Sequence, residues 1–297
     1  MNIKLLDDGR MVISENQYGW TVINFYDATG KFLTKEVQTS GRTLVCADFA
    51  PNGRFAASFS FIDAPNNQLR AASGIFTPKR EQVLALNDRL LPGYDENKLN
   101  DPNWWVGFLA KWFQLLPSQM HLAYASDGHL FAAEANAYKI TRYNTQYKAD
   151  LVITRAFKPK VVSEEAMLAS LEPLHEMVLA AAAPDDPNTV NERVVAKAFE
   201  KAEIPKASPA ILGLVPMDDG HLLVVRHHDP ESGKTQADIF DAKGRFIGQC
   251  VLPPVVYNPL AFYFGYGVKL WFRHGKAYGI ENRNGDDFMV RYNYKLK

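Results

Sequence analysis

"LLDDGRMVISENQYGWTVINFYDATGKFL", residues 5–33, holds two turn signals, Asp8-Gly9 and Asp27-Ala28-Thr29-Gly30, with short apolar runs between them. The stretch recurs. Asp8-Gly9, Asn52-Gly53, Asp127-Gly128, Asp219-Gly220 and His274-Gly275 are each followed by a basic residue: Arg10, Arg54, His129, His221 and Lys276. After each comes a short apolar run (MVIS, FAAS, LFAA, LLVV, AYGI), too short for a helix and suited to a strand covered on both faces. A second strand then ends on an aromatic and a small polar residue: Tyr26-Asp27, Phe76-Thr77, Tyr143-Asn144, Phe240-Asp241 and Tyr292-Asn293.

Each copy reads as strand a, a tight Asp-Gly type turn, strand b, a longer loop, strand c, a turn and strand d. A four-stranded meander that is apolar on both faces cannot bury them alone and does so by packing radially on its neighbours. The pattern therefore predicts an all-β β-propeller of four-stranded antiparallel blades, five of them recognisable, as one domain over residues 1–297. The glycine spacing fits a blade of about 40 to 50 residues once two insertions are set aside, an aromatic helix within 87–118 and a helical hairpin within 156–207.

The segments "YKITRYNT", "DDGHLLVV", "DIFDAKGRFIGQCVLP" and "HGKAYGIENRNGDDFMVRYNYKL", with a helical insert before the penultimate blade, resemble the six-bladed propellers grouped with NHL-repeat and TolB-like proteins. The resemblance covers essentially the whole chain. It implies six blades and, for many such proteins, an export signal, an extracytoplasmic location and a further N-terminal blade; this chain starts at Met1 directly before its first strand a. Propellers host unrelated functions, so the likeness speaks to architecture and not to activity.

Composition narrows the function classes. Lys plus Arg equals Asp plus Glu at 33 each, so no global field favours nucleic acid or an anionic membrane. MNIKLLDDGR has no apolar export region, and no run reaches the roughly 18 apolar residues of a spanning helix. Cys46 and Cys250 lie far apart in apolar runs, outside any metal or redox spacing, and read as buried thiols. No nucleophile elbow, P-loop, dinucleotide fingerprint or H-E-x-x-H is present.

Antiparallel order within a blade puts the a–b and c–d turns on one face and the b–c loops and d–a connections on the other. Both insertions fall at d–a connections, so they rise from this second, loop face and flank the third blade. In the first, Asp101-Pro102 reads as an N-cap and a proline at the first helical position, opening a helix with Trp104, Trp105 and Trp112. Such a helix most often packs on its host; a ligand or partner surface is the alternative, because Trp dominates interface hot spots. In the second, Ser163-Glu164-Glu165 opens a helix with Met167, Leu171, Leu174 and Val178 on one face and Pro173 as a kink, and Thr189 with Glu192 forms a capping box for its partner helix.

Six residues after the turn glycine, three blades place Glu15, Glu134 and Glu281, followed by Asn16, Asn136 and Asn282. Carboxylate and amide oxygens of this kind suit a hard cation such as calcium, as in lactonase-type propellers, or else cap b–c loops and pair with basic neighbours. His227, His228 and Asp229 offer ligands to a transition metal, although adjacent strand residues point to opposite sides. Asp48 and His121, on innermost strands of adjacent blades, are the titratable pair nearest the axis, fit for base and acid or for plain backbone bonding.

Two functions stand. The first is a non-catalytic, cofactor-free propeller that binds a protein or small molecule on the loop face, with no nucleic acid and no membrane span. The alternative is a hydrolase or lyase dependent on calcium or another divalent metal. At the ends of the chain, "FMVRYNYKLK" reads as strand c and little beyond. The last blade is expected to lack a full strand d, with Lys295 and Lys297 blunting its edge and the seam to the first blade resting on side-chain packing.

Overall fold

A computed structural model describes residues 2–17, 20–37, 42–63, 66, 68–77, 79, 81–91, 95–98, 100–115, 120–159, 161, 163, 191–201, 209–229, 234–253, 270–283 and 286–294. The described residues form five antiparallel sheets in sequence order. The first holds β1 (Asn2–Leu5), β2 (Met11–Gln17), β3 (Trp20–Tyr26) and β4 (Phe32–Val37). The second holds β5 (Arg42–Phe49), β6 (Phe55–Asp63), β7 (Gln68–Phe76) and β8 (Gln82–Leu91). The third holds β9 (Met120–Tyr124), β10 (Leu130–Glu134), β11 (Lys139–Tyr143) and β12 (Ala149–Thr154). The fourth holds β13 (Gly213–Pro216), β14 (Leu222–Asp229), β15 (Lys234–Phe240) and β16 (Phe246–Leu252); the fifth, β17 (Leu270–Arg273), β18 (Lys276–Arg283) and β19 (Asp286–Tyr292). Two α-helices occur among the described residues, α1 (Pro102–Leu115) and α2 (Glu192–Lys201).

The repeated turn is what fixes each blade. In the first four, a residue in the position of Leu6 binds both the glycine amide and the basic residue's carbonyl: Gly9 N donates to Leu6 O at 3.0 Å and Leu6 N to Arg10 O at 2.8 Å, and the turns at Gly53, Gly128 and Gly220 repeat this. The Asp or Asn before the glycine accepts from the amide two residues on, Arg10, Arg54, His129 or His221, at 3.0–3.1 Å. All five turn glycines take positive φ, 68° to 86°, where a Cβ is disfavoured. The fifth turn is shorter: Arg273 pairs directly with Lys276, and His274 and Gly275 both have positive φ (50° and 68°), as a two-residue type I′ hairpin requires. Asp218 in the fourth blade's turn accepts from the Gly275 amide at 3.0 Å and so ties the two blades together.

Alternation of the inner strands builds the core between blades rather than within them. In β14, Leu222 and Val224 join a cluster with Phe131, Ile140 and Ile153 of the third blade, while Leu223 and Val225 join one with Leu270 and Ala277 of the fifth. Phe49, Phe55 and Phe76 meet Val12 and Ile23 between the first and second blades; Ala56 and Ile75 meet Leu122 and Leu130 between the second and third. A fully buried side chain of this size contributes roughly 1.5–3 kcal/mol. The first strands of successive blades adjoin one another, β1 with β5, β5 with β9, β9 with β13 and β13 with β17, so strand a is innermost.

Several expectations change. Five blades are formed among the described residues; the six that the family resemblance implies are not confirmed by them. The first insertion starts later than residue 87, because β8 continues to Leu91. The cap of α2 is Asn191, whose side chain accepts from Val194 N at 3.1 Å and whose carbonyl accepts from Val195 N at 3.0 Å; the capping box at Thr189 lies outside the described residues, as does the hairpin's first helix. Cys250 is half-buried rather than buried, and the side chain of Cys46 is not among those described. In the fifth blade three strands are described and none pairs with the outer side of β19 among the described residues; Lys295 and Lys297 lie outside them.

Candidate functional site

The loop face is built around the third blade. Strand β8 leads through α1 into β9, and β12 leads through α2 into β13, so both helices sit in d–a connections and stand on one face. Asp101 caps α1, its carboxylate accepting from Asn103 N at 2.9 Å and its carbonyl from Trp105 N at 3.2 Å, with Pro102 at the first helical position. Among the described elements the main partner of α1 is α2. Phe108, Leu109 and Ala110 of α1 and Val194, Val195 and Ala198 of α2 are buried, yet belong to none of the four clusters that follow the blades. Next to this contact, Trp104 stacks on Phe108 (5.1 Å, 15°) and meets Trp105 edge-on at 4.8 Å, both tryptophans being half-buried. The side chain of Trp112 lies outside the described residues.

The third and fourth blades meet over a buried carboxylate. Asp238 in β15 is completely buried and shares the side of its strand with Phe240, facing the third blade. The Tyr138 hydroxyl donates to its Oδ2 at 2.6 Å and Gln249 Nε2 to its Oδ1 at 2.8 Å. Arg155 Nη1, just past the end of β12, pairs with Oδ2 at 2.6 Å, and Arg226 Nη1 reaches Oδ1 at 3.4 Å. Burial pushes the Asp238 carboxyl up, but the bonds from Tyr138, Gln249 and Arg155 and the charge of Arg226 outweigh it and hold the group below the ordinary range. Burial and the same carboxylate push the Tyr138 hydroxyl well above the ordinary phenol range. The Arg155 guanidinium also lies 4.0 Å over the Phe246 ring.

The residues singled out from sequence are dispersed. Glu134 ends β10 and pairs with Arg89 of the second blade at 3.0 Å, and Asn136 is exposed in the following turn. Glu281 in β18 accepts from Arg283 Nη2 at 2.6 Å and from the Tyr292 hydroxyl; these bonds hold its carboxyl below the ordinary range. The side chains of Glu15, Asn282, His227, His228 and Asp229 lie outside the described residues. Among the described residues no three His, Cys, Asp or Glu side chains come together as a metal-ligand set. Asp48 accepts from Phe49 N at 2.8 Å and Tyr124 N at 2.7 Å, with Lys4 Nζ of the first blade 3.4 Å away. His121 is buried and meets Ile211 O through Nε2 at 3.1 Å. Asp48 bonds at Tyr124, three residues from His121 along β9 and therefore roughly 10 Å away; each is bound to neighbouring backbone.

Sequence reading missed the Asp238 junction altogether. Its members come from positions up to about a hundred residues apart in three strands, a turn and a connection, and only the carboxylate in the apolar run "ADIF", at the inward parity of Phe240, signals it.

No protein-family model matches the chain, and no curated protein matches it. Among solved structures it is similar to virginiamycin B lyase from Staphylococcus aureus, at 14% identity over 99% of this chain and 84% of that one, with a TM-score of 0.36. A calcium-binding protein, regucalcin, from Agrobacterium tumefaciens is similar at 11% identity over 83% of this chain and 58% of that one, TM-score 0.35. Puromycin hydrolase matches at 13% identity over 98% of this chain, which spans 35% of that protein, TM-score 0.39. Likenesses of this size say nothing of activity.

Proposed function

We propose that the protein is a non-catalytic binding propeller that takes a protein or small-molecule ligand on its loop face. The observation that supports this reading is the Trp104–Trp105–Phe108 cluster on α1, a helix that among the described elements packs on α2 and keeps both tryptophans partly exposed. Two helices added to one face enlarge it beyond what a blade needs, and partly exposed tryptophans supply large apolar area at little entropic loss on binding. The other face carries tight hydrogen-bonded turns with little room for a ligand.

The alternative, a divalent-metal hydrolase or lyase, is motivated by the Glu and Asn recurrence and by His227, His228 and Asp229, whose side chains lie outside the described residues. Two of its carboxylates, Glu134 and Glu281, are committed to arginines, so it gains no support there. The test is a photocrosslinking residue placed at Lys111 on α1 and, separately, at Lys243 in the fourth blade's c–d turn. In cell extract, Lys111 is expected to yield a discrete adduct that is absent from Lys243 and lost when Trp104 and Trp105 are both alanine. Equal labelling from both positions overturns the reading, and a stoichiometric tightly bound ion in the purified protein would favour the enzyme.

A further inference from the structure

At the turn-face end of the propeller axis, the innermost strands present backbone groups that no described strand satisfies. In the first four blades the strand a residue at the turn bonds the basic residue's carbonyl, as Leu6 N does to Arg10 O at 2.8 Å. One step into each blade stand the pairs Leu5–Met11, Phe49–Phe55, Tyr124–Leu130 and Pro216–Leu222. Bonded and unbonded pairs alternate along an antiparallel ladder, so Leu5, Phe49, Tyr124 and Pro216 turn their carbonyls away from strand b. Strand a is innermost, and these carbonyls therefore face the axis at one level.

Tyr124 shows what meets them. Its inward amide donates to Asp48 Oδ2 of the second blade at 2.7 Å, and its inward carbonyl accepts from Lys4 Nζ of the first blade at 2.8 Å. The same Asp48 takes the Phe49 amide at 2.8 Å and stands 3.4 Å from the Lys4 ammonium. Strand β5 lies between β1 and β9, so Lys4 reaches the third blade by passing the axial side of β5. One positive charge thus sits between a carboxylate of the second blade and a carbonyl of the third, an oxygen cradle of the kind that holds small cations. Pro216, at the same level of the fourth blade, adds an acceptor and no competing amide hydrogen. We propose that this end of the axis is a cation site and that the Lys4 ammonium is its built-in occupant, closing the axis on the turn face. The site stands apart from the loop face and from whatever binds there.

Methylammonium chloride is the probe, with tetramethylammonium chloride as a control of equal charge that offers no N–H donor. Lys4→Ala empties the cradle, and methylammonium should then raise the variant's thermal midpoint saturably, by roughly 2–4 °C, while tetramethylammonium leaves it in place. Wild type, whose site is filled, should show no such difference between the two salts. Lys4→Met fills the cradle with an uncharged chain and should show none either. Absence of a methylammonium shift in folded Lys4→Ala, an equal shift with tetramethylammonium, or an equal shift in wild type or Lys4→Met each overturns the proposal. Should Lys4→Ala not fold, the wild-type protein decides. Under reductive methylation Lys4, held by two oxygens, should react roughly tenfold more slowly than the exposed Lys31 and Lys148, and equal rates overturn the built-in occupant.

Discussion

The Tyr138 hydroxyl of the third blade donates at 2.6 Å to the fully buried carboxylate of Asp238 in the fourth. Removing one donor while the charge remains inside leaves the acceptor short of a partner. Tyr138→Phe should therefore lower unfolding stability by about 1–3 kcal/mol. Asp238→Asn should lose more, because it leaves Arg155 and Arg226 facing each other without their anion, and breaking such a pair costs roughly 3–5 kcal/mol. Urea titration at pH 7 ranks the two variants, and the reverse order would show that the junction is held by packing and not by its charges.

Gly74 and Gly248 both sit inside strands, yet their replacement should act in opposite directions. A Cβ on Gly74 in β7 would stand 2.8 Å from the Leu84 carbonyl oxygen of β8, beside the register shift between Ser73 and Gly74, whereas one on Gly248 in β16 meets nothing within 4 Å. Gly74→Ala must push backbone, with a loss of about 1–3 kcal/mol. Gly248→Ala removes only unfolded-state freedom, with a gain of about 0.4–1 kcal/mol. Thermal midpoints measured side by side decide it; a matching loss at both positions contradicts the close approach at Gly74.

What the sequence made legible was the local and the periodic. The turn glycines, the apolar b strands and the Asp101-Pro102 start of α1 are fixed by chemistry within a few residues, and each sits where its pattern places it. The end of β8 was harder to read, since "NDRLL" mixes charge with apolar residues and Arg89 is drawn into the strand by Glu134 of the next blade. The fifth turn lacks the extra residue of the other four, a difference of register that the shared glycine conceals. Least legible were the partners of Asp238, because period and spacing report which side a residue faces and not which distant arginine faces it there.

The outer strand of the fifth blade offers a third test. Strand β11 is bonded on both sides, to β10 and β12, while β19 is bonded to β18 alone among the described residues. Phe288 and Met289 of β19 are exposed, as befits an edge. Alternate amides of β19 point away from β18 and should exchange with deuterium much faster than any amide of β11. Uniform protection along β19 would mean that a further strand covers it.

His121 should give the protein a stability slope in mild acid. Burial drives its imidazole down to about 4 from an ordinary 6.5, a shift only partly opposed by the bond to the Ile211 carbonyl. Ile211 offers an acceptor, so Nε2 carries the proton, and the buried Nδ1 has no partner among the described residues that would favour a second one. Between pH 4 and 6.5 the unfolded chain binds a proton that the folded chain refuses, so stability must rise with pH across that window. The contribution is complete above the unfolded value and disappears as pH falls through the folded one; a depression of this size is worth about 3 kcal/mol. Asp238 and the other carboxylates held below their ordinary range act at lower pH, so the two slopes separate. His121→Gln keeps a donor for Ile211 but cannot titrate. Urea unfolding of both proteins from pH 4 to 7 should show wild type losing stability relative to the variant as the pH drops, and parallel curves would mean that His121 is reached by water and protons without unfolding.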